Sequence, residues 1–550
     1  MSGNSGYTKI NVLLVSLTGI LLGLSYPPMP TGVLAAFAFI PFFAAFESVE
    51  RYGQAFRYSY IAFFVLNLIT LYWTGGFTHA KDWYLMAAGG MLLLVHPMFF
   101  SIPILAWMFF RKQFGFNRAL VAFPFIWLAF EYAHSATQIA FPWLLLGNTQ
   151  TYDLAAIQFA SVTGVYGISF WLLVLNIIGF TFYKKVSTAQ WGLFSIPAVA
   201  VVLALAVLYL APKIYGDRLL STDGAGAQAK PLRIGIIQPD IDPFVKWEEE
   251  PEAQIGILER LTREVAHQHV DLVLWPETAI PFYILQPHNA MVFARVKQMV
   301  DSLGVNLLTG VPDIVYYREG EAAPKSSKVA KSGERYDTFN SSMLLKPNSD
   351  EIQKYPKHFL VPFAERVPFS EELSFLNAMQ WNFGLGGWEI GKDTTVFRIG
   401  TQRNDSAQFS NLICYESIYP GYVASFVRKG AGFLTLITND SWWGNTSGAY
   451  QHKQYGVLRA VENRRWVAQC ANGGISCIID PFGRILQSTA LFTRGFTVAE
   501  LQSKSEMTFY TLHGDWFAEM CMVLGFFCLM AALGSKMYTN IRSGDNHEHH

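Results

Sequence analysis

The stretch LICYESIYP, residues 412–420, ends a short apolar run on one cysteine, Cys414, and follows it at once with a tyrosine and a glutamate. Short runs of apolar, β-branched residues bounded by polar or turn residues read as buried strands. NLIC is therefore a strand that closes on a thiol. Taken alone, such a cysteine is more often a small core residue than a nucleophile. Two further stretches bear on it: LVLWPETAIP (272–281) and YPKHFLVPFAE (355–365).

Around these stretches, short β-rich runs alternate with helical ones. LRIGIIQ (232–238), VDLVLWPE (270–277) and VNLLTGVPD (305–313) read as strands. EAQIGILERLTREVAHQ (252–268) and MVFARVKQMVDSLG (291–304) carry apolar residues at helical spacing. SSMLLKP (341–347), FSNLICYE, GFLTLITND and GISCIIDP add further strands, and AAPKSSKVAKSGERYD (322–337) reads as an exposed polar loop. A βαβαβ start followed by more β predicts an α/β sandwich, sheets inside and helices outside.

The rest of the chain has a different composition. Of 550 residues, 51% are apolar and only 15% charged, against about 25% charged in ordinary soluble domains. Eight runs approach the roughly 20 apolar residues a spanning helix needs: about 10–26, 32–48, 59–76, 84–110, 118–135, 165–183, 193–211 and 514–535. The expected organisation is a membrane domain over 1–212, a soluble domain over 213–512, and a last span with its tail over 513–550.

Orientation follows from the basic residues at the span ends. One side carries Lys9, Arg51, Arg57, Arg111, Lys112, Arg118, Lys184, Lys185, Lys536 and Arg542; the short loops of the other carry only Lys81. Positive residues stay in the cytoplasm. Both termini are therefore expected there, and the soluble domain on the far side of the membrane. The loop stretch 140–162, AFPWLLLGNTQTYDLAAIQFASV, is too apolar for a solvated loop. It fits the membrane interface, a packing surface for the soluble domain, or a wall of a lipid-access cavity.

Net charge is zero, which gives no reason to expect nucleic acid. The five cysteines form no CxxC pair and no zinc spacing, so neither metal nor cofactor is expected. Cys470 and Cys477 read as small core residues, and Cys521 and Cys528 as packing residues of the last span.

The order Glu277, Lys357, Cys414, in the contexts WPE, K-x₄-PF-x-E and CYE, resembles the nitrilase superfamily over about 230–500. With seven spans before this domain and one after it, the chain resembles the apolipoprotein N-acyltransferase family. QPDIDPFVKW (238–247), HFLVPFAERVP (358–368), TNDSWWG (438–444), RAVENRRW (459–466) and FPWLLLGNTQ add to the likeness. Ala364 departs from it, since family members often have glycine there; so does the insertion near 322–337.

The resemblance implies an αββα sandwich and an acyl transfer through a thioester on Cys414. Glu277 would be the base, because a free thiol is mostly protonated at neutral pH. Lys357 and a backbone N–H after Cys414 would stabilise the oxyanion. Glu365 would orient Lys357 and the incoming nucleophile, with Tyr415 and Glu416 in support. The acyl donor would be a glycerophospholipid. The acceptor would be the α-amine of a diacylglyceryl-cysteine that begins an apolipoprotein, handled by a monomeric enzyme at the membrane. Trp247, Trp442 and Trp443 fit an interfacial substrate mouth, and equally fit a core.

Two rival readings compete. A membrane-anchored nitrilase-type amidase acting on a small amide would need one or two spans, not eight. A transporter or receptor would be expected to carry more ionisable residues inside its spans than Glu131 and His96.

Overall fold

The computed structural model describes residues 2–75, 83–222, 231–243, 251–318, 320–324, 326–370, 372 and 387–545. Lys81 and Trp247 lie outside the described residues.

The soluble part is built on two sheets. The first contains β1 (Pro231–Gln238), β2 (Leu272–Leu274), β3 (Asn306–Tyr317), β4 (Lys328–Val329), β5 (Arg335–Leu345), β6 (Ile352–Pro356) and β13 (Gly495–Gln502), in the order β13-β1-β2-β3-β5-β4 with β6 also on β5. The second runs β12-β11-β10-β9-β8-β7, from β7 (Phe397–Gly400), β8 (Ser406–Ile413), β9 (Phe433–Thr438), β10 (Val467–Ala471), β11 (Cys477–Ile479) and β12 (Ile485–Ser488). β1, β2 and β3 run parallel, as do β8, β9 and β10, and the flanking strands are antiparallel. Parallel strands covered on both faces read as unbroken apolar runs, which is why LRIGIIQ and GFLTLIT were legible.

The sheets face each other, and the Cys470 thiol reaches from β10 to the carbonyls of Ile237 and Leu274. Outside the first sheet, α9 (Pro251–Ala266) and α10 (Ala290–Leu303) bury Ile255, Leu258, Val296 and Val300 over Ile237, Val273 and Leu307. Outside the second lie α11 (Pro420–Arg428) and α12 (Ser447–Asn463). This is the expected αββα sandwich. The polar stretch 322–337 is not wholly loop: Lys328 and Val329 pair with Tyr336 and Arg335 across a turn at Gly333.

The apolar part is helical. It contains α1 (Ser2–Ser25), α2 (Ile40–Phe46), α3 (Tyr52–Thr70), α4 (Trp83–Phe114), α5 (Phe116–Ser135), α6 (Leu154–Ile157), α7 (Ala160–Ser187) and α8 (Ile196–Thr222); α13 (Phe509–His513) and α14 (Trp516–Asp545) follow the sandwich. Among the described residues, four helices are long and apolar enough to cross a membrane: Leu85–Phe114, Ala160–Ser187, Ile196–Ser221 and Trp516–Arg542. The expected second span, 32–48, is not one helix. It breaks into the turn Gly32–Ala36 and seven residues of α2, with Pro41 in the first turn of α2 and the Phe39 N–H donated to the Asn176 side chain at 2.7 Å. At 1.5 Å per residue, α2 alone covers about a third of a bilayer core. α8 continues through Pro212 to Thr222, past the boundary expected at 212.

The two parts share one core that runs from Phe39 and Trp127 to Ile437 and Tyr455. The helix α12 lies at their junction. The Gln451 amide donates to the carbonyls of Pro27 and Thr70, at 3.0 Å each, and its oxygen accepts the indole N–H groups of Trp73 (3.1 Å) and Trp143 (2.7 Å). Residues 142–150 are buried there, so the apolar 140–162 stretch serves as a packing surface for the sandwich. Gln451→Leu strands the buried Trp143 N–H and should cost about 2 kcal/mol. Thermal unfolding of the purified protein in detergent should show a midpoint lower by several degrees. An unchanged midpoint would mean the junction does not depend on this residue.

Candidate active site

Three strand ends converge on one point. After β2 the chain turns sharply at Pro276-Glu277, and Gly310 on β3 lets it pass: a Cβ there would lie 2.3 Å from the Thr278 nitrogen. Lys357 directly follows β6, its N–H bonded to the Asn340 carbonyl at 2.8 Å. Gly391 donates to the Lys357 carbonyl at 2.8 Å, and any side chain at 391 would strike the Pro356 carbonyl. Cys414 follows β8 and opens a 3₁₀ turn, Cys414–Ile418.

The Lys357 ammonium, only 1% exposed, is shared by two carboxylates: Glu277 Oε1 at 3.2 Å and Glu365 Oε1 at 2.9 Å. Asn340 donates to the same two oxygens, at 2.7 and 3.2 Å. Backbone N–H groups take the remaining oxygens, Asn439 on Glu277 (3.1 Å) and Val361 on Glu365 (2.8 Å). Every carboxylate oxygen is thus satisfied, as burial of such charges requires. Burial alone would pull the Lys357 pKa down; the charges of Glu277 and Glu365 outweigh it and hold the ammonium above the ordinary lysine range.

Cys414 is 9% exposed and sits at φ 51°, a left-handed conformation costing a non-glycine residue about 1–3 kcal/mol. Burial, then the charge of Glu277, pushes its thiol well up, and Lys357 pulls it back only in part. At rest the site therefore holds a thiol, not a preformed thiolate. Moving its proton to Glu277 shifts a negative charge within the site without creating one. The arrangement can supply a nucleophile, a base and a fixed cation to a carbonyl carbon.

Tyr415 and Glu416 hold the parts in place. The Tyr415 hydroxyl donates to the Ala140 carbonyl at 2.8 Å and its ring stacks on Phe141, which ties the cysteine turn to the membrane part. Glu416 accepts from Tyr355 (2.5 Å), from the N–H of His358 (2.6 Å) and from the N–H of Ile413 (2.8 Å). One side chain thereby clamps the lysine loop to the cysteine turn. Burial raises its pKa to about 7, against these hydrogen bonds. Trp443 is half-buried, its ring centroid 4.6 Å from that of Trp73 and 5.7 Å from that of Trp143; Trp442 is also half-buried. Cys470 and Cys477 are core residues remote from these charges, with burial raising both thiols. Sequence reasoning missed Asn340, and it missed Asp440, Ser417 and His452 beneath the cysteine turn. An asparagine inside a strand gives no signal by itself.

Comparison with known proteins agrees with this layout. The family model described as "Apolipoprotein N-acyltransferase N-terminal domain" matches residues 18–178, and that described as "Carbon-nitrogen hydrolase" matches residues 233–508. A protein of Chlorobaculum tepidum named apolipoprotein N-acyltransferase is 37% identical over 528 residues, covering 94% of this chain and 96% of its own. One of Geobacter metallireducens with the same name is 32% identical, covering 93% of each chain. The chain belongs to the apolipoprotein N-acyltransferase family. It is an acyltransferase and a membrane enzyme, with a nitrilase-type domain. Membership in this family disfavours the amidase reading.

Lys357→Met would leave the buried Glu277 and the half-buried Glu365 beside Asn340 without a cation. Removing one partner of a buried ion pair costs about 3–5 kcal/mol. Two like charges held side by side away from water favour uptake of a proton. The loss should be large at pH 7.5 and smaller near pH 5, where protonation relieves it. Thermal unfolding of both proteins at the two pH values checks this; an equal loss at both would contradict the charge-sharing account.

Proposed function

We propose that this enzyme moves a fatty acyl chain from a glycerophospholipid to the α-amine of the N-terminal S-diacylglyceryl-cysteine of apolipoproteins, through a thioester on Cys414. The observation that carries this reading is the juxtaposition of a buried Cys414 with Glu277 and Lys357, in a domain that shares its core with a membrane helix bundle. Glu277 takes the thiol proton as sulfur attacks the donor ester. Lys357 and the Tyr415 N–H hold the charge that develops on the carbonyl oxygen. Glu365 keeps the ammonium aimed. Collapse expels the lysophospholipid, which takes the proton from Glu277, and leaves the thioester. The lipoprotein amine then attacks the thioester carbonyl and Glu277 accepts its proton; collapse forms the amide, breaks the C–S bond and expels the Cys414 sulfur, which takes that proton back.

Both substrates are anchored in lipid. A site at the membrane surface avoids extracting their chains, which would cost about 0.8 kcal/mol per CH₂. Trp442 and Trp443 lie at the boundary of the two parts, where such chains would enter. We further propose eight spans: α1, α3 and α5, and the turn Gly32–Ala36 continued by α2, complete the bundle around the four helices named above. The sandwich lies on the periplasmic side of the bacterial inner membrane, both termini lie in the cytoplasm, and the enzyme acts as a monomer. The three parts are residues 1–212, 213–512 and 513–550, except that the last helix of the first part runs on to Thr222.

A covalent intermediate implies ping-pong kinetics. Enzyme mixed with phospholipid and no acceptor should release a burst of lysophospholipid of about one equivalent per active site. No release until lipoprotein is added would mean direct transfer, and the thioester would be excluded.

A further inference from the structure

Beneath the nucleophile lies a second polar group that the acyl-transfer chemistry does not use. His452, on α12, is fully buried. Its Nε2 lies 3.1 Å from the carbonyl oxygen of Cys414 and 2.8 Å from the Ser417 hydroxyl, which is itself 2.9 Å from that carbonyl. Its Nδ1 lies 2.9 Å from Asp440 Oδ1, which also accepts the Thr438 hydroxyl at 2.6 Å. The rings of Trp143 and Trp443 pack against the imidazole, at centroid distances of 5.7 and 5.8 Å.

A carbonyl oxygen can only accept. The hydrogen directed at the Cys414 carbonyl therefore comes from Nε2 or from the Ser417 hydroxyl, both of which lie within hydrogen-bond distance of it. On the other side Nδ1 faces Asp440 Oδ1, which holds the ring in place. Two polar groups thus converge on one carbonyl. A peptide unit is planar, with its C=O and N–H pointing in opposite directions. Anchoring the Cys414 carbonyl inward turns the N–H of Tyr415 outward. That N–H is the second of the 3₁₀ turn, where no intrahelical acceptor exists.

We infer that His452, held by Asp440, is a positioning residue for the acyl transfer: it pins the Cys414–Tyr415 peptide so that the Tyr415 N–H faces the developing oxyanion. The left-handed φ of Cys414 needs such a restraint, because an unrestrained cysteine would relax out of it. His452 neither touches the substrate nor accepts the thiol proton. This inference rests on the thioester reading above.

The test separates aim from thiol reactivity. Acyl-enzyme formation needs both the thiolate and the oxyanion donor, whereas alkylation by iodoacetamide needs only the thiolate. The ratio of the two rates therefore isolates the donor. Full-length His452→Leu in detergent with phospholipid should show this ratio reduced about tenfold to a hundredfold, since loss of a whole oxyanion donor costs about 10²–10³. The donor KM should stay within about twofold, because ground-state binding is not involved. His452→Gln, whose amide can still donate to the carbonyl, should recover most of the ratio. If His452→Leu does not fold, Ser417→Ala removes the other donor and should lower the ratio several-fold. A ratio equal to the parent's in whichever variant folds would overturn the inference. Absence of acyl-enzyme in the parent itself would instead overturn the thioester reading.

Discussion

One buried ammonium organises the catalytic domain. Lys357 is shared by Glu277, just after β2, and Glu365, from the loop after Lys357 itself, and the two carboxylates would repel each other without it. Its position is secured by a backbone bond to Asn340, by the close approach of Gly391, and by the Glu416 clamp on the loop that follows. The same arrangement sets the state of Cys414. Burial first, and then the charge of Glu277, disfavour a standing thiolate, against the pull of Lys357.

The membrane part acts as a structural half of the site. Tyr415, next to Cys414, hydrogen-bonds to Ala140, and Gln451, next to His452, bonds to residues of the loops at Pro27, Thr70, Trp73 and Trp143. Neighbouring residues on one helix thus contact the junction and the cysteine turn. The buried ion pair Arg459–Glu462 extends the junction, with Glu462 Oε1 also accepting the Val165 N–H at 3.0 Å. Burial raises the Glu462 pKa to about 7. These contacts tie the sandwich to the bundle.

Which elements the sequence revealed follows from the same physics. β1, β8 and β9 are covered on both faces and read as apolar runs; α9 and α10 have one wet face and show a helical period. Of the motif residues, Glu277, Lys357 and Cys414 follow β2, β6 and β8 and Glu365 lies in the loop after Lys357, and the structure brings them together. α12 stayed hidden. Its residues His452, Gln454, Arg459 and Glu462 look solvent-facing, yet nearly the whole helix is buried because their partners come from distant segments. No local pattern encodes such pairing. The second apolar run misled in the opposite direction. Composition suggested a span, but Pro41 and the Asn176 bond to Phe39 break it into two short pieces. Asn340 was invisible because its role depends on two carboxylates 63 and 25 residues away.

The central claim is that Cys414 carries the acyl group. Mass spectrometry of the enzyme, purified with bound lipid and digested, tests it most directly. The account predicts a fatty acyl mass on the peptide containing Cys414, removed by neutral hydroxylamine and absent from the peptides containing Cys470 and Cys477. An adduct on one of those cysteines, or one retained in Cys414→Ala, would contradict it.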